Sequence, residues 1–208
     1  TLDHEIAVLE HQFARNGVAC MVGKGRFLDP HRIAVSRGEG GRDIDEQVEA
    51  DKILFAVVTS PYRPAHIPFN SSNVIDSDDF IQNPCVPRSL TVVGAGVIGL
   101  EYATIFSALD VPVTLIEPRD RLLEFMDDEI TDHLVHLMRD RGMQLRLSSE
   151  IASVRFATDG SPVCVLGDGR QVASELVLFT AGRVGATAGL GLENCGLAAD
   201  ARGRLTAD

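Results

Sequence analysis

The chain lacks any segment that would cross a membrane or direct it into one. No apolar run approaches the ~20 residues that span a bilayer, although 45% of the 208 residues are hydrophobic. The opening stretch, TLDHEIAVLEHQF, is acidic and amphipathic, unlike the basic start of a signal peptide or a transit peptide. Positive charge is scarce: 19 Lys and Arg against 30 Asp and Glu leave a net charge of −11. That balance argues against nucleic acid and anionic membrane as partners. The charge is spread along the chain, and solubility is its simplest reading. Cysteine is sparse too. Cys20, Cys85, Cys164 and Cys195 form no C-x-x-C pair, which excludes a local zinc knuckle and a local redox dithiol. They are expected to be small buried hydrophobes in a reducing, cytoplasmic setting. There is no internal repeat, no low-complexity tract and no initiator Met, the last as expected of a fragment or a processed chain.

What is present centres on SLTVVGAGVIGLEYATIFSALDVPVTLIE, Ser89 to Glu117. The apolar run Leu90 to Val93 ends in Gly94-Ala95-Gly96-Val97-Ile98-Gly99. A helical segment with Leu100, Ala103, Ile105 and Phe106 follows, then the β-branched run Val111 to Ile116, closed by Glu117. Strand, glycine turn, helix, strand and acid in that order form a dinucleotide-binding fingerprint in its required context. A bare G-x-G-x-x-G would equally suit an ordinary βα turn; the flanking elements are what argue for a nucleotide. Gly94 is expected to permit the tight turn, Gly96 to admit a pyrophosphate against the backbone, and Gly99 to let helix and strand close up. The first helical N–H groups, at Val97 and Ile98, would face the phosphates. Glu117, 23 residues after Gly94, stands where a carboxylate accepts from an adenosine ribose.

Along the chain, Leu2, Ile6, Leu9 and Phe13 recur at helical spacing up to Asn16-Gly17. Val18 to Val22 reads as a strand, Gly23 to Phe27 as a glycine-bearing bend, and Ile33 to Val35 as a strand. Arg37 to Asp45 is polar and glycine-rich, a surface turn. Ile53 to Val58 reads as a buried strand, broken by Pro61 and Pro64. Residues 65–88 are loop-rich, with Asp76-Ser77-Asp78 able to cap a short helix through Ile81. A domain boundary is expected near Cys85, giving domains 1–84 and 85–208. Ile130, Leu134, Leu137 and Met138 mark a helix ended by Gly142. Gln144 to Leu147 reads as a third parallel strand. Val154/Phe156, Val163/Val165 and Val172, separated by Asp159-Gly160 and Asp168-Gly169, predict a three-stranded antiparallel meander. Leu176 to Phe179 returns as a buried strand leading to Ala181-Gly182-Arg183. His133 and His136 have a metal-compatible spacing, but no further ligand accompanies them, so they read as exposed helix histidines.

Taken in order, these features resemble the two-dinucleotide flavoprotein oxidoreductases, the family of the disulfide reductases and dihydrolipoamide dehydrogenase. The matching strings are Gly23-Lys24-Gly25-Arg26-Phe27, the strand before Ser60-Pro61, the Gly94 fingerprint with Glu101, the meander, and Ala181-Gly182-Arg183. Pro61-Tyr62-Arg63-Pro64-Ala65, Asp76-Ser77-Asp78, Gly99-Leu100-Glu101-Tyr102-Ala103 and Gly191-Leu192-Glu193-Asn194 look most like the branch of soluble pyridine nucleotide transhydrogenases. The resemblance implies an α/β fold: a Rossmann-like NAD(P) domain with parallel sheet and meander over 85–208, and an incomplete FAD-binding domain over 1–84. It makes the chain a central piece of a longer, homo-oligomeric enzyme, inactive alone. Two departures stand out. Ala56-Val57-Val58-Thr59 replaces the family's Ala-Thr-Gly-Ser, putting valine where glycine admits the flavin, and Ala186 replaces a frequent Asn.

The implied activity is hydride transfer from NADPH to NAD+ through FAD, with both nucleotides as substrates at one site. A dihydrolipoamide dehydrogenase-like or other disulfide reductase is the alternative, because the family's redox cysteine pair precedes the segment present here. A nucleotide-binding fragment without catalysis is the third reading. Among site residues, the resemblance places Lys24 and Gly25 near the FAD adenine, Glu101 near the nicotinamide and flavin, and Gly182-Arg183 at the NAD(P) site. For Glu101 the alternative is a carboxylate favouring a helix N-terminus, and for Lys24-Gly25 a plain turn. Glu117 favours NAD, whereas Arg119 and Arg121 could accept the 2′-phosphate of NADP; the alternative has both arginines solvated, pairing with Asp120 or Glu124.

Overall fold

The computed structural model describes residues 2–39, 42–69, 71–82 and 84–206. They fall into two units, Thr1–Val58 with Gly185–Asp208, and Thr59–Val184. The division does not follow the break expected at 84/85, and the last residues of the chain belong with the first.

In the first unit, α1 (Leu2–Arg15) carries the predicted apolar spacing, but Ile6, Leu9 and Phe13 all stay exposed. Val18 to Val22 is not a strand; no neighbouring strand pairs with it, and unpaired backbone stays in water. The expected bend at Gly23 to Phe27 is instead the start of β1 (Lys24–Asp29), antiparallel to β2 (Arg32–Glu39), with Phe27 opposite Ile33. Gly23 is there for a close approach, since a Cβ would come within 2.8 Å of the Ser36 carbonyl. The expected surface turn over Arg37 to Asp45 is mostly strand: β2 runs on to Glu39 and pairs with β3 (Arg42–Glu49), and positions 40 and 41 lie outside the described residues. Ile53 to Val58 is coil rather than buried strand. Phe55 stacks edge-on against Phe27 at 5.8 Å, while Leu54 is 94% exposed and Val58 has φ +61°. From the C-terminal segment, Leu190 accepts from Phe27 N–H at 2.7 Å and Asn194 donates to the Phe27 carbonyl at 2.8 Å.

The second unit is built on a parallel sheet. After β4 (Thr59–Pro61) come β5 (Val74–Asp76) and α2 (Ser77–Gln82), then β6 (Leu90–Val93), α3 (Val97–Ala108) and β7 (Val113–Ile116). Helix α4 (Asp128–Asp140) leads to β8 (Gln144–Arg146), and the meander β9 (Ile151–Phe156), β10 (Pro162–Leu166), β11 (Gln171–Ala173) precedes β12 (Leu176–Phe179). The sheet order is β5-β12-β6-β7-β8, with every pair parallel. Strand β5 sits in the stretch read as loop from sequence; three residues between turns give too short a pattern to detect. Period-two alternation then sorts the core. Leu90 and Val92 join Leu100, Ala103 and Phe106 of α3 and Met138 of α4, whereas Val93, Val177 and Phe179 join Val154, Cys164 and Leu166 of the meander. Asp127 caps α4 by accepting from Glu129 N–H at 2.9 Å. This is a Rossmann-type α/β sheet with helices on one face and an antiparallel meander on the other. No helix among the described residues is long and apolar enough to cross a membrane. Cys164 is buried, which pushes its thiol up to about 12, but Cys20 and Cys85 are exposed, contrary to expectation.

Candidate functional site

The site forms where β6 gives way to α3. Gly94 has φ +101°, and a Cβ there would come within 2.7 Å of the Thr180 carbonyl. A Cβ on Gly99 would run into the Gly94 carbonyl and lie 2.5 Å from Thr180 Oγ1. Thr180, just past β12, explains both constraints. Its hydroxyl lies 2.8 Å from the Gly94 carbonyl and 3.1 Å from that of Val93, and its N–H donates to Val93 at 2.8 Å. Gly96 is different: nothing lies within 4 Å of where its Cβ would be. The protein does not require glycine at Gly96, so the open space over the turn is what a side chain would fill. Gly96 is also the N-cap of α3, and no side chain caps that helix. The N–H groups at Val97 and Ile98 therefore begin a helix whose positive end faces this opening without a side-chain acceptor.

Glu117 borders the turn from the end of β7 and is buried, at 3% exposure. Its Oε2 accepts from Ala95 N–H at 2.6 Å; its Oε1 accepts from Arg119 Nε at 2.7 Å and Arg119 N–H at 3.2 Å. Burial raises this carboxyl, but the Arg119 side chain and the two backbone N–H groups outweigh burial and hold it below its ordinary range. Arg119 also reaches to 3.8 Å from Glu124, and Arg121 pairs with Asp128. The sequence anticipated the Glu124 partner but not Glu117 or Asp128. Glu101 is exposed on α3.

Two residues beyond Thr180, Gly182 accepts from Tyr62 N–H at 2.9 Å. Arg183 is fully engaged: Nε donates to Thr59 Oγ1 at 2.7 Å, one terminal nitrogen to Thr59 O at 2.7 Å, and the other to Asp78 at 2.9 Å. Those bonds from Arg183 hold the Asp78 carboxyl below its usual value. A second arginine, Arg63, donates to buried Asp76 at 2.6 Å and to Asp79 at 2.7 Å, while Asp76 Oδ1 accepts from the N–H groups of Asp78 and Asp79 at the start of α2. Thr180 escaped the sequence reading; Arg63 entered it only within a family-matching string, Ala95 only within the fingerprint and Asp76 only as a capping residue.

Lys24 and Gly25 lie on β1 in the other unit, exposed, paired with Ser36 and Val35. Among the described residues of that unit, the buried side chains are Phe27, Ala34, Thr187 and Leu192. His133 and His136 are exposed on α4, and no group of metal-ligating side chains occurs among the described residues.

Compared with known proteins, residues 4–208 match the pyridine nucleotide-disulphide oxidoreductase family. A soluble pyridine nucleotide transhydrogenase of Mycobacterium bovis is 40% identical over 204 residues, covering 98% of this chain and 43% of its own length. One from Yersinia pestis is 38% identical over 211 residues, covering 98% of this chain and 44% of its own. Among solved structures, LpdA of Mycobacterium tuberculosis superposes over 99% of this chain and 45% of its own, with a TM-score of 0.88 and 29% identity. The HOCl-induced flavoprotein disulfide reductase RclA of Escherichia coli does so over 89% of this chain and 41% of its own, with a TM-score of 0.80 and 26% identity. The chain thus spans less than half the length of these relatives.

Proposed function

The chain belongs to the pyridine nucleotide-disulphide oxidoreductases, a family that uses FAD and NAD(P), and on that premise we propose that it supplies the NAD(P) site of an enzyme transferring hydride between NADPH and NAD+ by way of FAD. The observation that carries the reading is the opening over Gly96, in line with the uncapped start of α3 and bordered by Glu117. A pyrophosphate there would take hydrogen bonds from Val97 and Ile98 N–H and lie at the positive end of the helix. Glu117 has three donors on its two oxygens, which leaves a carboxylate room for one more, such as a ribose hydroxyl. Arg119, bonded to Glu117, and Arg121, two residues further on, are the cations that would take a 2′-phosphate, which would let the site serve both nucleotides. Glu101, exposed on α3, would lie near the nicotinamide, as the family resemblance implies. Gly182-Arg183 supports the site indirectly, since Arg183 is bound to Thr59 and Asp78. Thr59–Val184 is then the NAD(P) module, and the other unit, with Lys24 and Gly25, part of an FAD-binding domain completed by protein beyond this chain.

The transhydrogenase names of the relatives near 40% identity favour nucleotide-to-nucleotide transfer. The resemblance to a flavoprotein disulfide reductase supports a second reading, in which the same NAD(P) site feeds electrons to a disulfide. Calorimetric titration of the chain with NADH and NADPH, repeated on Gly96→Val, tests the site. Saturable binding of both, abolished by the valine, is expected. Binding of NADH alone would move the assignment to the dehydrogenase-like reading, and valine without effect would remove the turn from the site.

A further inference from the structure

The carboxylate of Glu117 has its partners before any ligand arrives. Ala95, whose N–H it holds at 2.6 Å, lies between Gly94 and Gly96 in the turn. The backbone of Glu117 is itself fixed: its N–H donates to Arg146 O and its carbonyl accepts from Ser149 N–H, both at 3.0 Å. Gly94 N–H donates to Ile116 O at 2.8 Å. The turn is therefore fastened to the end of β7 by one backbone bond and one side-chain bond, and the side-chain bond reaches the residue next to the open space over Gly96. The other carboxylate oxygen carries Arg119, so the pair presents no net charge, and a 2′-phosphate would meet no uncompensated anion at this position.

We propose that Glu117 is a positioning residue that holds the Gly94–Gly96 turn in its pyrophosphate-receiving shape for NAD(H) and NADP(H) alike, and that it does not choose between them. This rests on the reading of the turn as an NAD(P) site. An acid whose main role was ribose contact would behave differently, because losing it should weaken NADH and relieve NADPH. Glutamine weakens the brace whichever way its amide turns: with its acceptor on Arg119 it sets a donor against Ala95 N–H, and with its acceptor on Ala95 that bond is no longer charge-assisted. Aspartate keeps the charge but withdraws the carboxylate by one carbon from Ala95.

The test compares the 208-residue chain with Glu117→Gln and Glu117→Asp. NADH and NADPH affinities are measured by calorimetry, and the Ala95 amide is followed by 1H–15N NMR without nucleotide. The expected result is an Ala95 amide signal that moves upfield in both variants, a local signature that general destabilisation would not produce. Both nucleotides should weaken by a common factor of about tenfold, as for loss of one charge-assisted hydrogen bond, leaving their ratio unchanged. NADPH tightening while NADH weakens, Glu117→Asp keeping wild-type affinity, or an unmoved Ala95 amide would each overturn the proposal. Wild-type chain that takes up neither nucleotide overturns the nucleotide reading and the binding half of the proposal with it. In that case the Ala95 shift still decides, separately, whether the brace exists.

Discussion

Thr91 sits at the centre of β6, fully buried, and its hydroxyl has no hydrogen-bond partner among the described residues. A desolvated, unpaired hydroxyl costs about 1–3 kcal/mol, so Thr91→Val, which removes it while keeping the shape, should raise stability by about 1 kcal/mol in urea denaturation. Val58 is a second local cost. A β-branched side chain in the left-handed region is strained by about 1–2 kcal/mol, and its φ is +61°. Val58→Gly should relieve that strain, less the extra freedom glycine gives the unfolded chain; urea denaturation should show a net gain below about 1 kcal/mol. Gly99 shows the opposite sign. Gly99→Ala drives a Cβ into the Gly94 carbonyl and should lower stability by about 1–3 kcal/mol, with nucleotide affinity falling at the same time. The sequence announced Gly99 by its place in the fingerprint, yet its reason lies partly in Thr180, 81 residues further on (180 − 99), which no spacing rule connects to it.

The elements that could be read from sequence were those whose pattern is complete within themselves. The strands β6 and β7, the helices α3 and α4, and the meander β9–β11 each carry their own periodicity and their own turn residues. The failures were segments whose state depends on a distant partner. Ile53 to Val58 is apolar enough for a strand but has none beside it, and Val74–Asp76 is unremarkable until β12 arrives to pair with it. The site follows the same rule: the glycines and Glu117 were visible, whereas the Arg183–Asp78 pair joins residues 105 apart in the chain. Acid should expose these ties. The folded-state pKa values of Asp78 and Glu117 are lowered, so their contribution is present above the unfolded value near 4 and is lost as pH falls through the folded value. Urea midpoints should therefore drop between about pH 5 and 3, and Asp78→Asn should make that drop shallower while lowering stability at pH 7. An unchanged slope would mean that Asp78 contributes nothing through its charge.

Across the whole chain, burial is uneven. Among the described residues, nearly all buried apolar side chains lie in Thr59–Val184, and the other unit has Phe27, Ala34 and Leu192. Hydrogen exchange should accordingly be slow at β6, β7 and β12 and faster over residues 2–39 and 42–58. Residues 59–184 expressed alone should retain the sheet and unfold cooperatively, as measured by circular dichroism against urea, because their core needs no residue from outside. Saturating nucleotide at about 100 times its Kd should add about 2.7 kcal/mol to that unit. Thr59, the first residue of this unit, accepts two hydrogen bonds from Arg183, its last residue but one, so the unit enters and leaves the polypeptide at nearly a single point. A gene segment of that kind can be spliced into another coding sequence, or traded for a homologous segment, without stretching the host across a gap.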